Sequence, residues 1–325
     1  MFFRIRLSLA LSAAALSCFA QGVQVGGPVT GLVYDTPSKS LRQIVGMPGA
    51  ARLGPPLLPV DWATVAPDGR TALVLVQGEV RLISSKDIGQ DTAGTPVLGV
   101  LDAPQLSSWA EDSSSLILYS AANRSLQWVR LNAPSAEADP AVPVTGFDGD
   151  VTALAADKAS GVTVISAIGT GVHMIGPSGS AILLLPAADA SAIALEPGGK
   201  TLWVSDRASA QLLQVTKLGI SPEVQVLSSD PEKMADISAL GLSFDKQRLY
   251  LASRSTQLLY QFDRSAALLS EGIALDATAS LLLPLGRPSL RLLGLRDKLG
   301  QPLYLLDERS GPGLFFVPAG EGEQQ

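Results

Sequence analysis

The sequence has very few of the residues that most often carry chemistry in proteins. Its 325 residues include one cysteine and one histidine, so a zinc site or a Ser-His-Asp triad has almost no material from which to form. Charged residues make up only 17%, and the 24 Lys and Arg are outnumbered by 30 Asp and Glu. A nucleic-acid surface needs a basic footprint, which this composition excludes. An apolar content of 46% excludes an intrinsically disordered chain and leaves a folded globular protein.

The first 20 residues have the pattern of a secretory signal peptide. Arg4 and Arg6 form a positive segment, and an apolar run at residues 7–16 follows it. Small residues near the end of this segment favour cleavage after Ala20. We therefore expect export to the periplasm or the cell exterior, with residues 21–325 forming a single domain.

Two alternatives concern how the chain meets a membrane. Lipidation at Cys18 is the less favoured reading, because Ala15 and Leu16 stand in the reverse order to that of a lipobox. A membrane anchor is also disfavoured, since the leading apolar run is shorter than the roughly 20 residues that a spanning helix needs. No later segment is long and apolar enough to span, so we expect no membrane span in the mature chain.

Six similar segments follow one another along the rest of the chain. In each, a short stretch rich in small residues leads to a polar turn, a strongly apolar run, a second turn and a further run. The segments cover residues 61–84, 105–131, 151–175, 191–215, 237–263 and 291–317. Their first turns recur about every 40 to 50 residues, which is the spacing of four-stranded blades in a β-propeller.

Local physics favours strands within each segment. Pro67-Asp68-Gly69 is a strong turn signal, because Pro fixes φ and Gly accepts a positive φ. The apolar runs last about six residues and are bounded by turns, as expected for strands covered on both faces and not for helices. The predicted fold class is therefore all-β, a β-propeller of six blades, with seven left open.

The ring is expected to close with strands from both chain ends. The sixth segment has no fourth strand before the chain ends, and residues 41–45 form a spare strand near the N-terminus. We expect this strand to complete the last blade. The neighbouring residues 31–35 either pair beside it or belong to a seventh blade. The fourth strands of the other segments are expected near residues 96–100, 141–144, 181–185, 223–227 and 281–285.

Two segments resemble the repeats of a known family. APDGRTALVLVQGEVRLI, beginning at Ala66, and LEPGGKTLWVSDRASAQLLQV, beginning at Leu195, are similar to the YVTN/NHL-type repeats of bacterial β-propellers. The resemblance implies a propeller over most of residues 61–317 and no particular activity. Calcium-dependent six-bladed lactonases resemble this architecture and bind their metal through a Glu, Asn and Asp set at the channel mouth. The chain departs from that set, because its only asparagines, Asn123 and Asn132, fall near the outer part of the second segment.

Polar residues near the starts of the first strands are candidates for a ligand site. Ligands usually bind where loops surround a concave opening, and a propeller channel has such an opening at each end. The candidates are Asp61, Gln105, Asp150, Ser191, Asp236 and Arg291. They either converge on a small polar ligand or form a polar rim that channel water solvates.

Two other features are given structural interpretations. His173 is expected on a third strand away from the axis, without the partners that a catalytic base needs. The run Asp148-Gly149-Asp150 resembles the start of a calcium loop, but Ala153 and Ala159 occupy the places of its Gly and Glu. We therefore expect a solvated turn there, no catalytic residue and no cofactor, with calcium kept as the alternative.

Since no acid–base, nucleophile or metal set is recognisable, the leading hypothesis is a non-enzymatic, exported platform. It would bind a small molecule or an envelope protein. The alternative is a metal-dependent lactonase or related hydrolase with its site at the channel mouth.

Overall fold

Strands account for nearly all of the regular structure. The computed structural model describes residues 27–86, 88, 94–132 and 135–320. The predicted signal peptide and Cys18 lie outside the described residues. No described helix is long and apolar enough to cross a membrane.

Seven antiparallel sheets follow one another along the chain, and we number them as blades 1 to 7. Blade 1 contains β1 (Val29–Asp35), β2 (Ser40–Val45) and β3 (Arg52–Pro59). Blade 2 contains β4 (Trp62–Val65), β5 (Thr71–Val76), β6 (Glu79–Ser84) and β7 (Thr95–Pro96). Blade 3 contains β8 (Leu106–Trp109), β9 (Ser115–Ser120), β10 (Ser125–Asn132), β11 (Ser135–Ala138) and β12 (Val142–Pro143).

The remaining four blades repeat the same arrangement. Blade 4 contains β13 (Val151–Asp157), β14 (Val162–Ala167), β15 (Gly171–Ile175) and β16 (Ala181–Leu185). Blade 5 contains β17 (Ala190–Leu195), β18 (Thr201–Asp206), β19 (Gln211–Thr216) and β20 (Glu223–Ser229), and it is followed by the one-turn helix α1 (Pro231–Met234). Blade 6 contains β21 (Ile237–Leu242), β22 (Arg248–Ser253), β23 (Leu258–Asp263), β24 (Leu268–Leu269) and β25 (Ile273–Ala274). Blade 7 contains β26 (Leu282–Leu285), β27 (Arg287–Leu293), β28 (Leu303–Asp307) and β29 (Gly313–Val317).

The predicted all-β propeller is confirmed, and it has seven blades. Apolar layers between neighbouring blades form the core, as expected where both faces of a sheet are covered. The middle strands show this most clearly: every residue of β9 is buried. The first five sequence segments correspond to the first three strands of blades 2 to 6.

The sixth sequence segment differs from the other five, because residues 291–317 cover the second to fourth strands of blade 7 and not its first three. Residues 281–285 were predicted as an outer strand, but β26 is the innermost strand of blade 7. The reason lies in Gly286, whose φ of +68° forms a tight hairpin between β26 and β27, so residues 282–285 pair with the strand that follows them and not with the blade before. Arg291 consequently lies on the second strand of its blade and not at the head of the first.

The prediction that strands from both chain ends share one blade is wrong. Residues 41–45 belong to β2, which pairs with β1 and β3 and not with any strand of blade 7. A four-residue turn, with Lys39 at φ 44°, folds β2 back on β1, so the N-terminal strands satisfy one another locally. Residues 31–35 pair beside residues 41–45, and the two strands belong to a separate blade, so both possibilities that the sequence left open are met.

The ring closes by side-chain packing between blades 7 and 1. Ile44 and Leu53 of blade 1 share an apolar cluster with Leu290, Leu305 and Val317 of blade 7. One backbone hydrogen bond, from Leu53 N to Pro318 O at 3.4 Å, crosses this joint. The closure thus depends on burial of apolar surface and not on a shared strand.

Candidate functional site

The innermost strands all begin at one mouth of the channel and end at the other. The turns that follow the innermost strands of neighbouring blades contact one another, which shows that these strands end on the same side of the ring. Gly286 N donates to Pro67 O at 2.9 Å, and Asp68 N donates to Ser113 Oγ at 3.0 Å. We call the mouth where these strands begin the upper mouth, and the one where they end the lower mouth.

Five of the six candidate residues lie at the upper mouth. Asp61, Gln105, Asp150 and Asp236 immediately precede an innermost strand, and Ser191 is the second residue of one. The structure thus places these five side chains at the same end of the ring, and their role as a ligand site remains a prediction.

Several of these upper-mouth side chains already form hydrogen bonds within a blade or between blades. Gln105 Oε1 accepts from Ala121 N at 2.5 Å within blade 3. Ser191 Oγ donates to Ile237 O at 2.6 Å, which connects blades 5 and 6. Asp236 accepts from Arg207 Nη1 at 3.4 Å. These contacts occupy groups that a ligand would need.

Arg291, the sixth candidate, is separated from the other five. It lies on β27 opposite Pro284 of β26, on the side of the lower mouth. Its Nε donates to Glu308 Oε1 at 2.7 Å, and the two side chains are only 9% and 7% exposed. Glu308 Oε2 accepts from Phe244 N at 2.7 Å, so this carboxylate connects blades 6 and 7.

A cavity of about 290 Å³ occupies the channel near the lower mouth. We call it the axial cavity. The ends of the innermost strands of blades 2 to 7 line it, and small side chains such as Ser107, Ala155 and Gly241 leave the space open. Its volume matches the lower end of the range for small-molecule sites. Arg291 is the only sequence-predicted site residue that lines it.

The axial cavity contains charges of both signs. Its wall includes the cations Arg291 and Lys246 and the carboxylates Glu111 and Asp157. The terminal nitrogens of Arg291 make no hydrogen bond to any residue that the structure describes, because only Nε is used by Glu308. A guanidinium in this state retains donors for a carbonyl or carboxylate oxygen of a ligand.

One wall of the cavity is fixed by a hydrogen-bonded set of side chains from blades 2 and 3. Trp109 Nε1 donates to Thr64 Oγ1 at 2.9 Å, and Thr64 Oγ1 lies 2.8 Å from Ser107 Oγ. Ser108 Oγ also accepts from Ala156 N of blade 4 at 3.2 Å. These bonds hold neighbouring innermost strands at a fixed separation, so the cavity is preformed.

Tyr250 lies buried near the Arg291–Glu308 pair. Its hydroxyl makes no hydrogen bond of ordinary geometry to the described residues, although the cations Arg248 and Arg291 lie close enough to oppose part of the effect of burial on its pKa. Burial raises the pKa of Tyr250 to about 12, and the negative charge of Glu308 adds to this effect. The phenol therefore stays neutral across the physiological pH range.

Sequence reasoning did not identify the other charged residues of the axial cavity as site residues. Glu111 and Asp157 stand at the first turns of the second and third segments, at the place that Pro67 has in the first. Turns at the same place in successive repeats lie close together around the axis. The alignment of the repeats could therefore have predicted that Glu111 and Asp157 lie near each other. Glu308 gave no such signal, since its position depends on the displaced strands of blade 7.

His173 has the structural position that the sequence predicted. It lies on the third strand of blade 4, is buried, and stacks on Phe147 with ring centroids 5.2 Å apart. Its Nε2 lies 3.3 Å from Thr170 Oγ1, while Nδ1 has no partner within the described residues. Burial lowers the pKa of His173, which keeps the imidazole neutral.

The described residues bring no three His, Cys, Asp or Glu side chains together in an arrangement that could hold a metal ion. Asn123 and Asn132 lie at the two ends of the third strand of blade 3, away from the axis. The residues present therefore do not fit the metal set of the calcium lactonases, and we derive no step through a metal.

Solved structures similar to this chain are β-propellers. A protein from Bacteroides fragilis assigned as a 6-phosphogluconolactonase matches with a TM-score of 0.60 at 11% identity, covering 89% of this chain and 92% of that one. The periplasmic gluconolactonase PpgL of Pseudomonas aeruginosa matches with 0.58 at 16%, covering 90% and 97%. The β-propeller domain of Myceliophteria thermophila Cps50 (Swd1) matches with 0.55 at 12%, covering 89% and 96%. No protein-family model and no curated protein matches the sequence.

These comparisons show the fold, and they overturn one expectation. The leading hypothesis of a non-enzymatic binding platform is contradicted, because the lactonase-like propellers among the similar structures favour the enzymatic alternative. At this low identity the similarity carries no residue-level correspondence. The chemistry of the chain has to be argued from its own axial cavity.

Proposed function

We propose that this protein is a lactonase-like hydrolase that opens a small cyclic ester in the axial cavity. The observation that carries the proposal is Arg291, a largely buried arginine that faces the cavity with its terminal nitrogens uncommitted. The guanidinium nitrogens of a buried arginine normally all donate to acceptors. The unused terminal N–H donors of Arg291, beside a preformed cavity, therefore indicate a ligand rich in oxygen. The lactonase-like propellers among the similar folds support the same reaction class.

The reaction assigned to the cavity is addition of water to the lactone carbonyl carbon. The ring C–O bond then breaks and the ring oxygen takes up a proton, which gives a hydroxy acid. Arg291 would donate to the carbonyl oxygen, where negative charge develops as water adds. The same guanidinium suits the carboxylate of the product.

A general base must take the proton from the attacking water. Glu111 and Asp157 are the two carboxylates that line the cavity; Asp157 Oδ2 accepts from Ser160 N at 2.9 Å, which leaves its other oxygen for this step. Glu308 is less suited, because its two oxygens already accept from Arg291 and Phe244 N. Its role is to orient the guanidinium of Arg291, as a charge-assisted hydrogen bond does.

The cavity volume sets the size of the substrate. About 290 Å³ accommodates a monosaccharide-sized ring and excludes a chain of several sugars. Apolar side chains such as Leu195, Leu240 and Leu282 line part of the wall, so the ring face has a surface to pack against. We therefore take small sugar lactones as the substrate class.

The test is proton release from D-glucono-δ-lactone by the purified protein, followed in weakly buffered solution against the uncatalysed rate. Glu111→Gln and Asp157→Asn identify the base, since loss of a general base lowers kcat about 10²- to 10⁴-fold. Glu271→Gln is the matched control, because this carboxylate is 94% exposed and lies on blade 6 away from the cavity. A wild-type rate equal to that of buffer contradicts the proposal, as does full activity in both cavity variants.

Two finer assignments form part of the same proposal. The turns at Pro67 and Pro197 and the apolar strands that follow support membership of the YVTN/NHL-type repeat class. The leader pattern of residues 1–20 supports export, and the periplasmic location of PpgL is compatible with it. Sequencing the N-terminus of the protein recovered from the cell envelope tests cleavage after Ala20.

A further inference from the structure

The outer edges of most blades carry features that hinder pairing with another chain. In blade 1, β3 contains Pro55, Pro56 and Pro59, which lack the N–H needed for a sheet hydrogen bond. In blade 2, the outer strand β7 has only two residues. Blades 3 and 6 divide their outer edges into the short pairs β11 and β12, and β24 and β25. Exposed edges are usually protected in these ways against association.

Blade 5 differs from these blades. Its outer strand β20 runs for seven residues, Glu223–Ser229, without a proline, and it pairs regularly with β19 over residues 223–226 before a bulge at Leu227. It pairs with β19 on one side, and no described strand pairs with its other edge. Val224 and Val226 lie on one face of this strand and are 46% and 51% exposed. A long edge with exposed valines is a surface prepared for strand addition.

The surroundings of β20 extend the apolar surface. Ile220, in the loop that leads into β20, is 91% exposed. On the neighbouring blade 4, the outer strand β16 exposes Ile182, which faces blade 5 because its strand partner Met174 packs against the layer between the two blades. Val224 and Val226 face blade 4 in turn, because their strand partners Val215 and Leu213 belong to the same layer. Exposed apolar side chains on the facing sides of two neighbouring outer strands are typical of an interaction site.

We propose that β20 is a homodimer interface, in which the β20 strands of two copies pair antiparallel across a two-fold axis at Gln225. The strand is self-complementary in this register. Gln225 meets Gln225, whose amides can donate to and accept from each other, and Val224 of each copy meets Val226 of the other. The apolar faces of the two strands then join into one continuous surface.

Charge favours a second copy as the occupant. The only charged residue of β20 is Glu223, and Lys217 Nζ of the same copy already pairs with its carboxylate. Like charges that face each other across a symmetric contact disfavour strand pairing. Two copies of β20 bring no unpaired like charges together. In this register the two copies of Glu223 lie on opposite sides of the two-fold axis, away from each other. The two-fold arrangement also closes the exposed edges without leading to further growth.

The experiment is the molar mass of the purified protein by light scattering coupled to size-exclusion chromatography, across a range of concentrations. The wild type is expected at the mass of two chains, and Val226→Lys at the mass of one chain with an unchanged Tm. Leu98→Lys is the matched control, because Leu98 is 84% exposed on blade 2, and it should remain dimeric. A wild type that is monomeric at every concentration, or a dimeric Val226→Lys, overturns the proposal.

A cysteine pair tests the register itself. In a Cys18→Ser background, Gln225→Cys should form an intermolecular disulfide on mild oxidation, since residues facing each other across a two-fold axis are within bonding range. Glu223→Cys should not, because the two copies of residue 223 lie on opposite sides of the axis, several residues apart along the paired strands. Equal cross-linking of both variants contradicts the register. This interface does not depend on the proposed activity, so either can fail without the other.

Discussion

Asp35 and Arg296 form a buried bidentate ion pair between the first and last blades, although they lie 261 positions apart in the chain. Arg296 Nε donates to Asp35 Oδ1 at 2.8 Å and Nη2 donates to Oδ2 at 2.7 Å. Arg42 of blade 1 adds a third contact to the carboxylate at 3.1 Å. The pair therefore joins the two blades where the ring closes, beside their shared apolar cluster.

Breaking this pair is expected to destabilise the whole ring. Arg296→Met leaves Asp35 buried with one fewer cation, and loss of one partner of a buried pair costs about 3–5 kcal/mol. Arg309→Met is the control, because Arg309 pairs with Asp307 but is 48% exposed, and exposed pairs contribute about 0–1 kcal/mol. Urea unfolding of both variants measures the difference. Equal stabilities would show that the ion pair does not hold the closure.

The same pair predicts how acid affects stability. Burial alone would raise the pKa of Asp35, but hydrogen bonds from Arg296 and Ser38, together with the charge of Arg296, outweigh burial and hold it below its ordinary value. The stability from this pair is therefore complete above the unfolded pKa near 3.9 and is lost as pH falls through the folded pKa. Unfolding midpoints measured from pH 2 to 5 should fall more steeply for the wild type than for Arg296→Met.

His173 predicts a second pH dependence in a higher range. Burial lowers the pKa of His173 in the folded protein, so the unfolded chain binds the proton more readily. Stability should therefore decrease as pH falls below the unfolded pKa near 6.5. His173→Phe removes the titrating ring, so its Tm should change less than that of the wild type between pH 8 and 5. Parallel curves for the two proteins would contradict this explanation.

A close approach between blades 2 and 7 explains why one turn requires glycine. A Cβ on Gly69 would lie 2.8 Å from Gly286 N, and Gly69 has a φ of +65°. Gly78 has a similar φ of +82°, but nothing lies within 4 Å of its Cβ position. Both alanine variants carry backbone strain, while Gly69→Ala adds a clash that should cost roughly 1–3 kcal/mol more. Chemical unfolding of the two variants isolates the clash, and equal losses would exclude it.

The sequence allowed the blades to be predicted because their signals are local. The Pro67-Asp68-Gly69 turn and the apolar strand after it are fixed by neighbouring residues, and the structure confirms both. Closure of the ring is not local. It depends on the hairpin at Gly286, which makes residues 282–285 the first strand of blade 7, and on the contact of Arg296 with Asp35; no pattern within one repeat contains either fact.

The candidate site was predicted only in part for the same reason. Asp61, Gln105 and Asp236 could be selected from the sequence because each stands directly before the first strand of its repeat, and the structure places all three at the upper mouth. Arg291 was selected from a displaced alignment, and it nevertheless lines the axial cavity. Its partner Glu308 comes from an adjacent strand, so the pair became recognisable only once the strand order of blade 7 was known.

The central claim is that chemistry takes place in the axial cavity beside Arg291 and not at the upper mouth. The most direct measurement is kcat/KM for D-glucono-δ-lactone in Arg291→Gln compared with Asp61→Asn at the upper mouth. Removing a donor to the developing negative charge should lower the value about 10²- to 10³-fold in Arg291→Gln, while Asp61→Asn should retain the wild-type value. A loss in Asp61→Asn with full activity in Arg291→Gln would contradict the account.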